Sequence, residues 1–223
     1  MIDGSWHAYM YVWQFAFDHT IFIGRSWKDY TVLLKSINKC LKGNEYLVVY
    51  VHNLSYEFQF LSGIYPFENE NVFAVKPHKV LKAVSGQIEY RCSMLHSNMS
   101  LDKWTQQMNV VHRKLSGDKY NYDIIRYPWT ELTEQELAYQ CHDVLGVVEC
   151  IQTELYRDGD NLYKIPLTST GYVRRDVKRA MKPISHRLMY QLHMEQEVYE
   201  MLKRAFRGGD THANRFFRES GTV

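Results

Sequence analysis

Short apolar runs and apolar residues at helical spacing alternate along the first part of the chain. The runs at 9–17 and 20–23 predict two strands joined by a tight turn, and the apolar, β-branched run at 46–51 predicts a strand buried on both faces. Residues 72–91 predict a hairpin of two strands that turns at Ser85-Gly86. Helical periodicity over 27–41, 55–61 and 101–108 predicts the intervening helices.

A long helix follows this region. Thr133 and Glu136 have the spacing of a capping box and predict a helix from 134 to about 157. Its predicted apolar face comprises Leu137, Cys141, Val144, Leu145, Val148 and Ile151. Residues 168–182 and 186–206 predict two further helices, the second of which ends at Gly208-Gly209. The pattern therefore predicts an α/β fold with a mixed sheet over 1–160, followed by a helical C-terminal extension over 161–223.

Charge is distributed unevenly between these two regions. Residues 1–163 carry 15 Lys and Arg against 19 Asp and Glu, a net charge of −4. Residues 164–218 carry 12 basic and 5 acidic residues, a net charge of +7. A basic C-terminal quarter suits a protein that binds a polyanion at one end, although a solvated helix face explains the same charges equally well.

Composition limits the class of protein. With 45% hydrophobic and 23% charged residues among 223, the chain is not disordered. Its longest apolar run is shorter than the about 18 residues of a membrane span, and its N-terminus does not resemble a signal peptide, so we expect a cytoplasmic protein without a membrane partner. The four cysteines lack metal-site spacing, which predicts free buried thiols. Aromatic residues reach 14% and either fill a core or stack on bases.

Two groups of polar residues could carry chemistry. His52, Asn53 and Glu57 follow the strand at 46–51, where functional groups of α/β proteins collect. Tyr139 and Asp143 lie four residues apart and share a helix face. A carboxylate and a phenol that face a second carboxylate would suit Mg²⁺ or Mn²⁺ and phosphodiester cleavage. The alternative is a surface position for Asp143 and a core position for Tyr139.

Four short motifs resemble those of the protein-primed family B DNA polymerases of phages and organellar plasmids. The segment HNLSYEF at 52–58 resembles their second exonuclease motif, H-N-L-x-F-D, and the Tyr139 to Asp143 pair resembles the third, Y-x-x-x-D. The tetrapeptide at 115–118 resembles their K-x-G-D loop. The tetrapeptide at 206–209 resembles the Y-x-G-G segment between the exonuclease and polymerase domains. All four occur in the family's order.

This resemblance implies a ribonuclease-H-like exonuclease fold and a 3′–5′ proofreading region within a DNA-directed DNA polymerase. By position, Glu57 and Asp143 would bind catalytic Mg²⁺ or Mn²⁺, and Tyr139 would orient the attacking water. The implied partners are the single-stranded 3′ end of DNA, the rest of the polymerase chain and a terminal priming protein.

The resemblance also implies a set of DNA contacts. They would come from His52, Asn53, Tyr56, Ser93, Lys114 or Ser116, Arg207, Gly208 and Gly209. The alignment places Ser116 where the family has its loop lysine and leaves Lys114 as the nearby cation. The two glycines would allow close approach to the DNA backbone.

The sequence departs from the family in three ways. The first exonuclease motif, D-x-E, would fall before residue 1, Glu57 replaces the commoner Asp, and no polymerase motif is present. These departures predict a fragment with little or no nuclease activity. They also predict two unpaired sheet edges, with marginal stability or edge-to-edge association. The alternative functions are a non-catalytic single-stranded nucleic-acid-binding module and a structural or interaction protein with coincidental motif matches.

Overall fold

The computed structural model describes residues 8–117, 120–183 and 195–205. The chain divides into two compact units, one ending at Arg175 and the other beginning at Asp176. The predicted domain boundary after residue 160 stays a prediction.

An antiparallel hairpin opens the described chain. Strands β1 (Trp13–Phe17) and β2 (Thr20–Gly24) pair with each other, which confirms the predicted hairpin. Its turn contains no glycine. Instead Asp18 adopts a left-handed conformation with φ of 52°, which Asp tolerates better than most residues. The two strands form a sheet of their own.

A second, mixed sheet holds four strands. They are β3 (Leu47–Val51), β4 (Val72–Lys76), β5 (Lys79–Ser85) and β6 (Ile88–Cys92), in the spatial order β3-β6-β5-β4. Strands β3 and β6 are parallel, and the other pairs are antiparallel. This arrangement confirms the predicted α/β fold with a mixed sheet.

Two predictions for this sheet were wrong. Residues 72–91 contain three strands rather than two, because His78 turns the chain with a φ of 58° between β4 and β5. Strand β3 is half-buried along its whole length, since it lies at the sheet edge rather than in the centre. Four of the described strands have one edge without a strand partner: β1, β2, β3 and β4.

Seven α-helices and one short 3-10 helix (Asn69–Asn71) lie within the described residues. The α-helices are α1 (Trp27–Asn38), α2 (Leu54–Leu61), α3 (Ser93–Ser97), α4 (Leu101–Gln107), α5 (Glu134–Asp158), α6 (Ser169–Met181) and α7 (Gln196–Ala205). The sequence pattern did not predict the short helix α3. Helix α7 lies within the predicted helix at 186–206, of which residues 186–194 and 206 lie outside the described residues. No described helix is long and apolar enough to cross a membrane.

The capping box of α5 is present as predicted. The Thr133 hydroxyl accepts from the Glu136 backbone amide at 3.2 Å, and the Thr133 amide donates to the Glu136 carboxylate at 2.8 Å. The predicted apolar face is only partly correct. Leu145 and Ile151 are buried, but four other members are half-buried: Leu137, Cys141, Val144 and Val148. Polar residues occupy buried positions of α5 instead: Gln140, Glu149 and Glu154.

Two hydrophobic clusters stabilise the unit that ends at Arg175. The first joins the hairpin, α1, α2 and the mixed sheet around Phe15, Leu34 and Tyr90. The second packs α4 against α5 around Trp104 and Cys150. All four cysteines are free, as predicted, but only Cys92 and Cys150 are buried, and Cys40 is exposed.

A buried polar cluster accompanies the second core. Glu154 accepts hydrogen bonds from His96 Nε2 at 2.5 Å, from Trp104 Nε1 at 3.2 Å and from the Tyr172 hydroxyl at 2.8 Å. His96 Nδ1 donates to the Pro166 carbonyl at 2.8 Å. Because a buried carboxylate needs such partners, Glu154 ties α3, α4 and the start of α6 to α5.

Candidate functional site

The carboxyl ends of the parallel strands β3 and β6 bring two polar residues together. Val51 and Cys92, the last residues of these strands, are register partners. The next residues, His52 and Ser93, therefore meet, with 3.1 Å between His52 Nδ1 and Ser93 Oγ. Ser93 is fully buried at the start of α3. Two of the predicted DNA-contact residues thus lie side by side.

His52 is held in an uncharged state. Its ring stacks on Trp104, with 6.2 Å between ring centroids and 22° between planes. Burial, and to a smaller extent the positive charge of Lys114, lower the pKa of His52 to about 4. At neutral pH the imidazole is therefore neutral, and its Nδ1 can either donate a hydrogen bond to the Ser93 hydroxyl or accept one from it.

Lys114 forms a salt bridge with the carboxylate of Asp143. Lys114 Nζ lies 2.7 Å and 2.9 Å from the two Asp143 oxygens and 4.7 Å from the ring centroid of Tyr139. Tyr139 and Asp143, four residues apart on α5, thus contact the same ammonium group. The Lys114 and Asp143 side chains remain 26% and 24% exposed, so that a ligand in solution can reach the pair.

Burial and pairing act in opposite directions on this ion pair. Burial raises the pKa of Asp143 more than Lys114 lowers it. For Lys114 the pairing outweighs burial. Burial lowers its pKa, but the hydrogen bonds to Asp143 and Tyr139 raise it by more, so that the net pKa is raised. The ammonium donates to both carboxylate oxygens, a geometry that favours the ionised pair at neutral pH.

A second tyrosine extends this group. The hydroxyls of Tyr122 and Tyr139 lie 3.1 Å apart. This hydrogen bond, with a further contribution from burial, raises the pKa of Tyr122 to about 12. The Tyr122 phenol is therefore a neutral hydrogen-bonding group at physiological pH.

Helix α2 carries the remaining predicted residues at this end of the sheet. Asn53 precedes the helix in a left-handed conformation with φ of 65°, and Tyr56 is exposed. The Glu57 residue as a whole is exposed, yet the surrounding protein desolvates its carboxylate enough to raise its pKa. Within the described residues, Glu57 makes no hydrogen bond or ion pair.

The described residues do not form a metal centre on their own. They contain no group of three His, Cys, Asp or Glu side chains that could hold a metal ion. Lys114 already contacts both oxygens of Asp143. The donor set therefore does not fit a bound Mg²⁺ or Mn²⁺ without further ligands, and metal binding stays a prediction.

The remaining predicted residues are either exposed or outside the described residues. Ser116, which the alignment puts in place of the loop lysine, is exposed, whereas Lys114 contacts Asp143. Three predicted DNA contacts lie outside the described residues: Arg207, Gly208 and Gly209. Asp118, the last residue of the predicted loop motif, also lies outside them.

Sequence reasoning missed several residues around this group. Trp104 supports His52, and Glu149 binds His112 two residues before Lys114. The one signal for Glu149 was a charged residue within the apolar run at 147–151, which indicates a buried polar partner.

Comparisons with known proteins identify the fold. No family model matches the sequence, and no curated protein matches it. The structure is similar to Phi29 DNA polymerase complexed with single-stranded DNA, with a TM-score of 0.63 and 14% identity. It is also similar to the post-translocation binary complex of that polymerase with primer-template DNA (TM-score 0.62, 13% identity). The ternary complex with incoming nucleotide gives a TM-score of 0.56 and 15% identity.

Each match covers 90% of this chain and 36% of the polymerase chain. The chain thus spans little more than a third of the length of the structures it matches. At this level of identity the likeness concerns the fold: the chain shares its α/β architecture with one part of a DNA polymerase.

Proposed function

We propose that this chain is the 3′–5′ exonuclease region of a protein-primed family B DNA polymerase, with a ribonuclease-H-like fold, and that it binds single-stranded DNA 3′ ends. The observation that carries the proposal is the meeting of Lys114, Tyr139 and Asp143 in one contact group. The sequence motifs and the fold shared with part of Phi29 DNA polymerase support it.

The contact group offers suitable chemistry for a phosphodiester. The Lys114 ammonium is partly exposed and could neutralise a phosphate, the usual first contribution to nucleic-acid affinity. The Tyr139 hydroxyl could donate to a phosphate oxygen or hold a water molecule, with Asp143 as the acceptor for that water's proton. The exposed ring of Tyr56 could stack on a terminal base or sugar.

The proposal includes further partners. Arg207, Gly208 and Gly209 would contact the DNA backbone on its way to the rest of the polymerase chain. A terminal priming protein would be a second protein partner. Mg²⁺ or Mn²⁺ at Asp143 and Glu57 would require ligands beyond the described residues, such as the D-x-E pair, so we assign no step to a metal.

A non-catalytic single-stranded nucleic-acid-binding module is the second candidate. Two observations favour it: Asp143 is already occupied by Lys114, and the described residues contain no metal-binding group. In this case the positive charge of Lys114 would contribute to DNA affinity without hydrolysis.

One assay distinguishes these functions. The 1–223 chain is incubated with a fluorescent single-stranded oligonucleotide at low and high salt, with and without Mg²⁺ or Mn²⁺. Stepwise, metal-dependent 3′ shortening that Asp143→Ala abolishes and the exposed control Glu131→Ala retains would support the exonuclease.

Salt-sensitive binding without shortening, unchanged in Asp143→Ala, would support the binding module. Failure to bind even at low salt would overturn both functions and favour a structural or interaction role.

A further inference from the structure

The backbone leading to Lys114 is irregular but firmly held. Three consecutive residues, 112 to 114, lie between α4 and α5 without regular secondary structure. Glu149 accepts from the His112 backbone amide at 2.9 Å and from His112 Nδ1 at 2.5 Å. His142 Nδ1 donates to the Arg113 carbonyl at 2.8 Å, and the Lys114 amide donates to Thr105 Oγ1 at 3.2 Å. Each of the three residues is therefore fixed through its main chain.

One helix supplies most of these contacts. His142, Gly146 and Glu149 are spaced four and three residues apart, so they share a face of α5. Tyr139 and Asp143 lie on the same helix, three residues before His142 and Gly146 respectively, and contact the Lys114 ammonium. Helix α5 thus holds both the main chain of this segment and the tip of its lysine side chain.

Gly146 allows the segment to approach the helix closely. A Cβ atom at this position would lie 2.7 Å from the His112 carbonyl oxygen and 2.9 Å from Thr105 Cγ2. Real Cβ atoms do not approach other atoms so closely, so only glycine fits here without a shift of the backbone. The close approach brings the His112 amide within reach of the buried Glu149 carboxylate.

The electrostatics of Glu149 agree with this role. Burial disfavours its charge, but the hydrogen bonds from His112 outweigh burial and lower the pKa of Glu149. The carboxylate is thus charged at neutral pH and accepts two charge-assisted hydrogen bonds, which are stronger than neutral ones.

We propose that Glu149 and His142 are positioning residues that hold residues 112–114 so that the Lys114 ammonium stays on Asp143 and Tyr139. Only the relevance of these contacts to catalysis rests on the proposed function, because the contacts themselves form without DNA. It assigns a purpose to a buried carboxylate that contacts neither Lys114 nor Asp143 directly.

The test measures the state of Lys114 itself. Full-length 1–223 is treated with a low dose of an amine-acylating reagent, and labelling of Lys114 is quantified by mass spectrometry relative to the exposed Lys103. A lysine held as a paired ammonium reacts slowly, since only the free amine is nucleophilic. Glu149→Ala should raise Lys114 labelling roughly tenfold, the change expected from losing a charge-assisted hydrogen bond. His142→Ala should raise it less.

A conservative variant and two controls sharpen the result. Glu149→Gln can still accept from the His112 amide and donate to the His112 ring, so it should restore slow labelling. Asp143→Asn removes the partner of Lys114 directly and sets the upper limit of labelling. Val147→Ala, in the second hydrophobic core, controls for a general loss of stability and should leave labelling unchanged.

Wild-type labelling in both Glu149→Ala and His142→Ala would overturn the proposal. Equal increases in Glu149→Ala and Val147→Ala would also overturn it, because general loosening would then explain the effect. The labelling ratio does not depend on DNA cleavage, so this result can be interpreted even if the exonuclease proposal fails.

Discussion

The neutral state of His52 leads to a quantitative prediction about stability and pH. Its folded-state pKa is lowered from the ordinary 6.5 to about 4, first by burial and then by Lys114. Between these values the unfolded chain binds a proton that the folded protein does not. The stability contribution is therefore fully present above pH 6.5 and is lost as the pH falls toward 4.

The magnitude follows from the two pKa values. Between pH 8 and pH 5, a group with these values would reduce the free energy of unfolding by about 2 kcal/mol. His52 is partly accessible to solvent, which screens its interaction, so we expect about 1 kcal/mol.

Urea unfolding of wild type and His52→Gln at both pH values measures this effect. Glutamine can keep a hydrogen bond to Ser93 but does not titrate. The pH-dependent loss of stability should be about 1 kcal/mol larger in wild type than in the variant. The same change at the exposed His19 controls for removal of one histidine.

Equal pH dependence in wild type and His52→Gln would refute the reasoning. An NMR titration of the His52 ring gives an independent check: a pKa near 6.5 would mean that the imidazole is not desolvated as the structure indicates.

Two further predictions concern packing around α5. Gly146→Ala should lower the free energy of unfolding, measured in urea, by about 1–3 kcal/mol, because its Cβ would collide with the His112 carbonyl. An unchanged free energy of unfolding would show that residues 112–114 shift without cost. Glu154→Ala should cost about 3–5 kcal/mol in the same assay, since it leaves the buried His96 and Trp104 donors and the half-buried Tyr172 hydroxyl without their common acceptor. A loss below about 1 kcal/mol would contradict the importance of this cluster.

Local sequence signals predicted much of the fold. The Thr133 to Glu136 capping box located the start of α5 because both hydrogen bonds form within one turn of chain. The turn at His78 escaped prediction, since no glycine marks it and a histidine adopts the left-handed conformation there. Burial of β3 was overestimated because an apolar run does not reveal whether its strand lies at the centre or at the edge of a sheet.

The candidate site was less accessible to sequence reasoning. Helical periodicity was sufficient to place Tyr139 and Asp143 together on α5. It could not decide between Lys114 and Ser116, because the intervening segment has no regular structure and its course depends on contacts with Thr105 and Glu149. Those contacts join residues 9 and 37 positions apart, which no local pattern encodes.

The division of the strands into two sheets has a consequence for how the molecule opens. No backbone ladder among the described strands connects the β1–β2 hairpin to β3. Side-chain contacts attach the hairpin instead: packing on α5 and on the first hydrophobic cluster, and a hydrogen bond from Gln152 Nε2 to Asp18 Oδ1. Side-chain contacts can break locally without disrupting the hydrogen bonds of either sheet. We therefore expect the hairpin to open locally at a free energy below that of global unfolding, which native-state hydrogen exchange of the β1 and β2 amides would measure.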